Sequence, residues 1–204
     1  MRIVLGMIAA SALLVSAASA ETRALNGFDS VSAAGRVEVE IVIGQAFGVE
    51  LTGPRVDNVI TRVEGGRLEI ETRNNRGNWR GRDAHVRITM PSLRALDVAA
   101  GAAVNAREVS AAAFALDVSS GATADVTGAC ESLTLDISSG ANVRAGDFRC
   151  GDVRADASSG ASATVYAANA IAVDASSGAS LRWRGEAQTR ALDLSSGASA
   201  RHTD

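Results

Sequence analysis

The chain reads as all-β, wound into a right-handed parallel β-helix with coils of about 19 residues and a β cap at its N-terminal end. Three observations predict this. A short motif recurs six times, apolar and polar residues alternate with a period of two on both sides of it, and a glycine holds one fixed place in every copy.

The six copies align without gaps: Leu96-Asp97-Val98-Ala99-Ala100-Gly101-Ala102, then 116–122 (LDVSSGA), 135–141 (LDISSGA), 155–161 (ADASSGA), 173–179 (VDASSGA) and 192–198 (LDLSSGA). Their acidic residues, Asp97, Asp117, Asp136, Asp156, Asp174 and Asp193, are spaced 20, 19, 20, 18 and 19 residues apart. Internal repetition at such a period is the signature of a solenoid.

The alternation makes each unit a pair of strands. Leu116 and Val118 flank Asp117, and beyond the glycine Ala122, Ala124 and Val126 share one parity while Thr123 and Asp125 take the other. A period of two is that of a strand with one buried face. A unit of this length cannot bury its own apolar face, whereas a copy stacked on it in parallel, about 4.8 Å away, can. The right hand follows from the general hand of parallel crossovers.

The glycines mark the corner. Gly101, Gly121, Gly140, Gly160, Gly178 and Gly197 fall where the chain turns, and each is followed by Ala, as a cramped inner corner requires. The paired serines before them are expected to stack, with hydroxyls bonding between coils or to corner backbone. Cys130 and Cys150 each lie six residues before their unit's Asp, in a column that otherwise reads Pro91, Ala111, Ala168 and Ala187. Adjacent coils bring such positions to about 5 Å, within disulfide range, so a Cys130–Cys150 disulfide is expected.

Residues 1–20 read as a signal peptide. Arg2 precedes an apolar run, and Ala18-Ser19-Ala20 supplies a cleavage pattern. No Cys follows the cut and no second long apolar stretch occurs, so an exported chain, periplasmic or extracellular, without a membrane span is expected. Export also supplies the oxidising compartment that a disulfide needs. The remaining 21–204 reads as a single β-helical domain, with 21–92 as irregular N-terminal coils and cap and 93–204 as six regular repeats. All twenty basic residues are Arg, and the formal charge of −3 becomes −4 once Arg2 is removed. A net acidic chain has no general attraction to nucleic acid.

The run Val86-Arg87-Ile88-Thr89-Met90-Pro91-Ser92-Leu93-Arg94-Ala95-Leu96, followed by repeated Ser-Gly-Ala corners, resembles the head GIN domain family of autotransporter adhesins. Phe28-Asp29-Ser30-Val31, the alternating 37–43 stretch and Leu68-Glu69-Ile70 fit the same family. The resemblance covers nearly the whole mature chain. It implies a β-helical fold in an exported bacterial protein with an adhesin-like role, and it supplies no catalytic residues. No C-terminal barrel-forming region is read, so self-secretion is not expected.

Two candidate sites stand out. The stretch from Arg73 to Asp83 holds Arg73, Arg76, Trp79, Arg80 and Arg82. Arginine beside an exposed aromatic can grip anionic sugars, phosphates or single-stranded nucleic acid, although the plainer reading is a solvated loop with Trp79 folded back on the cap. The Asp column from Asp97 to Asp193 would place carboxylates about 4.8 Å apart, repelling by about 0.9 kcal/mol per neighbouring pair even in bulk water. Arg144, Arg154 and Arg182 are expected to compensate, or a weakly bound divalent cation to do so. The glycine-Asp nonapeptide of calcium-binding β-rolls is missing.

No catalytic constellation, cofactor motif or Cys/His metal spacing is read; the histidines are His85 and His202, with no nucleophile-elbow pattern. The sequence therefore points to a non-enzymatic binding or structural module of the cell envelope, with envelope glycans or proteins as partners and self-association through the last coil. The alternative is a carbohydrate-active β-helix enzyme, which the shortness of every repeat disfavours because a deep cleft needs long loops.

Overall fold

A computed structural model describes residues 20–73 and 81–203. Nearly all of the expected signal peptide, and Arg76, Trp79 and Arg80, lie outside the described residues.

The strands are β1 (Glu21–Thr22), β2 (Ser30–Ala34), β3 (Val37–Ile43), β4 (Gly48–Thr52), β5 (Val59–Glu64), β6 (Arg67–Thr72), β7 (Ala84–Met90), β8 (Ala95–Ala99), β9 (Ala103–Val118), β10 (Thr123–Ile137), β11 (Asn142–Ala157), β12 (Ser162–Ala175), β13 (Ser180–Arg184), β14 (Thr189–Leu194) and β15 (Ser199–His202). They form a parallel β-solenoid. β9 to β12 each carry the second half of one coil and the first half of the next, and they pair in sequence order, each with the coil before and after. The six motif segments lie one over another: Asp97 opposes Asp117, Asp117 opposes Asp136, Asp136 opposes Asp156, Asp156 opposes Asp174 and Asp174 opposes Asp193.

Burial follows the alternation. Leu116, Val118, Ala122, Ala124 and Val126 are buried, as are Leu135, Ile137, Ala141, Val143 and Ala145 one coil on. Small residues keep the interior thin, and the few large ones need space made for them. Phe148 stands in register with Gly128, which in turn opposes Val109. A methyl group on Gly128 would sit 2.0 Å from the Val109 carbonyl oxygen. The rings of Phe114 and Phe148 meet edge to face at 5.1 Å between centroids.

The corner is tighter than expected. Not only the glycine but also the residue before it has positive φ: Ser120 at 54° and Gly121 at 69°, Ser139 at 53° and Gly140 at 70°. Two successive left-handed residues make a type I′ turn, closed by Ala122 N–H donating to the Ser119 carbonyl at 3.1 Å. A non-glycine residue in this region costs about 1–2 kcal/mol. In return the corner backbone joins the ladder, with Gly121 N–H donating to the Ser139 carbonyl of the next coil at 3.1 Å. This corrects the expected serine ladder: main-chain groups satisfy the corner, and among the described residues no corner serine hydroxyl hydrogen-bonds to protein.

Cys130 and Cys150 form the expected disulfide, with Cα atoms 4.4 Å apart. The column it occupies differs at one place: Cys150 opposes Ala167, not Ala168, because the register shifts between Cys150 and Asp152. Coils of unequal length absorb their difference in this return stretch, so counting back from the Asp fails there.

The N-terminal part is β as expected, but its coils do not stack in chain order. β2 lies between β6 and β8, and β3 between β7 and β9. The chain thus lays its first coil inside and its second, β6 with β7, outside. Antiparallel strands then cover that outer coil, β5 on β6 through the Gly65-Gly66 turn and β4 on β7. Antiparallel cover ends the parallel ladder and occupies backbone groups that would otherwise invite further pairing.

Candidate functional site

The outer surface is built from columns of in-register side chains. On one face runs the Asp column, extended by two residues that sequence spacing missed: Ser32 opposes Asp97 and Glu69 opposes Ser32. They went unseen because the first two coils lack the repeat motif and exchange places in the stack. Arg67 lies 3.7 Å from Asp97 and Arg154 lies 3.3 Å from Asp156. Asp117 has acids on both sides, and its carboxyl is raised above the ordinary value, first by partial burial and then by the charges of Asp97 and Asp136. Among the described residues no group of three or more His, Cys, Asp or Glu side chains is arranged to hold a metal ion.

The expected compensation by Arg144 and Arg182 does not occur. Both lie beyond the corner, in β11 and β13, and point outward on the neighbouring face. The corner turns the chain between them and the acids, so residues close in sequence diverge in space. On that face Arg144 opposes Thr164, Thr164 opposes Arg182 and Arg182 opposes Arg201.

Toward the cap the same face carries paired charges. His85 Nδ1 lies 3.3 Å from Glu38, and Arg87 lies 3.5 Å from Glu40. These residues line an open depression with Glu50, Asn105 and Arg107. A second open depression lies along the acidic column, between Arg67 and Asp136.

Of the arginine loop, Arg73 and Arg82 are described. Arg73 is exposed at the rim of a shallow depression with Arg36 and Thr72. Arg82 faces inward: its guanidinium donates to the Gly101 carbonyl at 2.7 Å and to the Val37 carbonyl at 3.3 Å. It clamps the loop base to the first corner. Beside it Asp83 is fully buried, with Arg36 at 3.4 Å and Arg55 at 3.9 Å. Sequence reasoning missed this buried acid, since nothing in its neighbourhood separates it from solvated loop residues.

At the C-terminal end Trp183 is buried, on the same inward parity as Ala179 and Leu181. Its ring lies 5.8 Å from that of His202 and under the Arg190 guanidinium at 6.0 Å. His202 Nε2 lies 2.9 Å from the Gly185 carbonyl oxygen. Leu192 and Leu194 of the last coil remain 43% and 41% exposed.

These features define a parallel β-solenoid whose faces are columns of stacked side chains. No helix among the described residues is long and apolar enough to cross a membrane. Residues 27–187 match the family described as "Putative auto-transporter adhesin, head GIN domain", and the chain belongs to that family. Among curated proteins none matches it in sequence.

Solved structures share the fold. A "putative adhesin" from Bacteroides fragilis superposes with a TM-score of 0.73 at 14% identity, over 91% of this chain and 96% of that one. A "putative lipid binding protein" and a "putative adhesin", both from Parabacteroides distasonis, give 0.51 at 13% and 0.52 at 12% identity, each over 91% of this chain and 96% of theirs. At such identities the likeness is one of fold.

Proposed function

We propose that the protein is a non-enzymatic, adhesin-like binding module exported to the periplasm or cell surface, with residues 1–20 as a cleaved signal and 21–204 as one β-helical domain. The observation that carries the reading is the register of the outer columns. Rows of polar and charged side chains run from coil to coil across the strands, the Asp column without a break, and the depressions between them are open. Such a surface suits an extended partner, a glycan or a protein of the envelope, far better than a reaction that must exclude water. Family membership supports the same direction. Self-association through the last coil belongs to this reading, carried by the exposed Leu192 and Leu194 and by a β14 in which every residue is exposed.

The test has two arms. Fractionation of cells making the tagged protein should place it outside the cytoplasm, with a mature N-terminus at Glu21. Purified protein should retain whole envelope material without releasing reducing ends or unsaturated sugars from polysaccharide. Cytoplasmic retention, or steady turnover of a polysaccharide, would sink the reading, the latter in favour of a carbohydrate-active enzyme.

A further inference from the structure

The arginines that leave the acidic column without partners form a surface of their own. Arg182 and Arg201 face each other directly in adjacent coils, and Arg144 continues their column beyond Thr164. All three are exposed, and none makes an ion pair among the described residues. Asp125, the register partner of Arg144 in the preceding coil, does not pair with it within 4 Å. Like charges placed directly opposite weaken a sheet. Arg182 and Arg201 have no acid among their register partners and are arranged to meet anions from outside, while Asp125 stands opposite Arg144 without forming an ion pair with it.

Two flanking columns say which anion. On one side lie Ser162, Ser180 and Ser199, mutually in register, with the Ser199 hydroxyl 3.5 Å from that of Ser180. On the other lie Arg149, Tyr166 and Arg184, with the Arg149 guanidinium over the Tyr166 ring at 5.5 Å and Arg184 at 3.6 Å from Asp147. The strand repeat sets neighbouring columns about 7 Å apart and neighbouring coils about 4.8 Å apart. Cations beside hydroxyls, repeated along an axis, match a polymer that itself carries anionic groups and hydroxyls in repetition.

We infer that this face of the last coils binds an acidic polysaccharide, with Arg144, Arg182 and Arg201 on its carboxylate or sulfate groups and the serine column on its hydroxyls. The inference rests on the reading of the solenoid as a binding module and names the ligand class of one face. Single-stranded nucleic acid fits less well, because the ring of Tyr166 is covered by Arg149 instead of open to a base and the chain is net acidic. An anionic membrane fits less well, because the apolar residues between these columns, Val165, Leu181 and Trp183, are buried and leave nothing to insert.

The test measures binding of the purified protein to polygalacturonate, dextran sulfate and neutral dextran, with single-stranded DNA and phosphatidylglycerol vesicles as competing ligands. At least one acidic polysaccharide should bind, with affinity falling as salt rises, and dextran should not. Arg182→Gln with Arg201→Gln should weaken binding about tenfold. Arg62→Gln, an exposed arginine of the antiparallel cap strand β5, should change it less than about twofold. Equal binding of dextran, undiminished binding by the double variant, or tighter binding of DNA or vesicles overturns the inference. So does failure of wild type to bind either acidic polymer, an outcome that leaves the module reading standing if envelope material is still retained.

Discussion

Asp117 stands between Asp97 and Asp136 in the stacked column, and both neighbours and its partial burial disfavour its charged form. A carboxyl whose folded pKa lies above its unfolded value binds protons more readily in the native state. Its contribution to stability therefore falls as pH rises through that window and recovers as pH drops toward the ordinary 3.8. Asp117→Asn should stabilise the protein at pH 7 by about 0.2–1 kcal/mol, measured by urea unfolding. The gain should shrink to nothing near pH 3; an undiminished gain there would assign it to something other than charge. Asp29 has the opposite sign, since the guanidinium of Arg94 hydrogen-bonded to it at 2.5 Å holds its carboxyl low.

The corner serine is the other residue whose chemistry is at odds with its place. Ser139 holds a φ of 53° that asparagine adopts more readily. Ser139→Asn should raise the unfolding free energy by a few tenths of a kcal/mol and Ser139→Val should lower it by about 1 kcal/mol or more. Equal midpoints for the three proteins would show that the left-handed corner carries no strain.

Among the elements, β10 and β11 share the disulfide between Cys130 and Cys150, which closes a stretch of sequence separation 20. A loop of that size contributes about 3 kcal/mol by restricting the unfolded chain. The Cys130→Ala, Cys150→Ala protein should keep its far-ultraviolet circular dichroism, because the ladder flanks the pair on both sides, and should unfold with a free energy lower by about 2–4 kcal/mol. Loss of the β spectrum would show instead that the link is needed to form the coils. The register of these coils was legible in the sequence, because Asp, Ser-Gly and Ala recur at nearly constant spacing. The return stretch was not, because it tolerates bulges of different length, and so Ala167 occupies the place that counting gave to Ala168.

At the scale of the whole molecule the two ends are finished differently. The N-terminal end is closed by antiparallel β4 and β5, while among the described residues β14 and β15 pair only with the coil before them, β12 and β13. The self-association proposed above would use this edge, where Leu192 and Leu194 are exposed. Sedimentation should therefore depend on concentration, and Leu192→Ser with Leu194→Ser should remove that dependence. Concentration-independent monomers for the wild type would rule this out.

The local pattern alone was enough for the strand type, the corner positions, the stacking of the repeats and the cysteine link. All of these depend on periodicities of two and of about nineteen, which residues display directly. The exchange of the first two coils, the burial of Asp83 and the separation of Arg144 and Arg182 from the acids had to await the folded arrangement. They depend on which segments lie side by side after the chain crosses over itself or turns a corner, and that adjacency is a property of the packed solenoid, not of spacing along the chain.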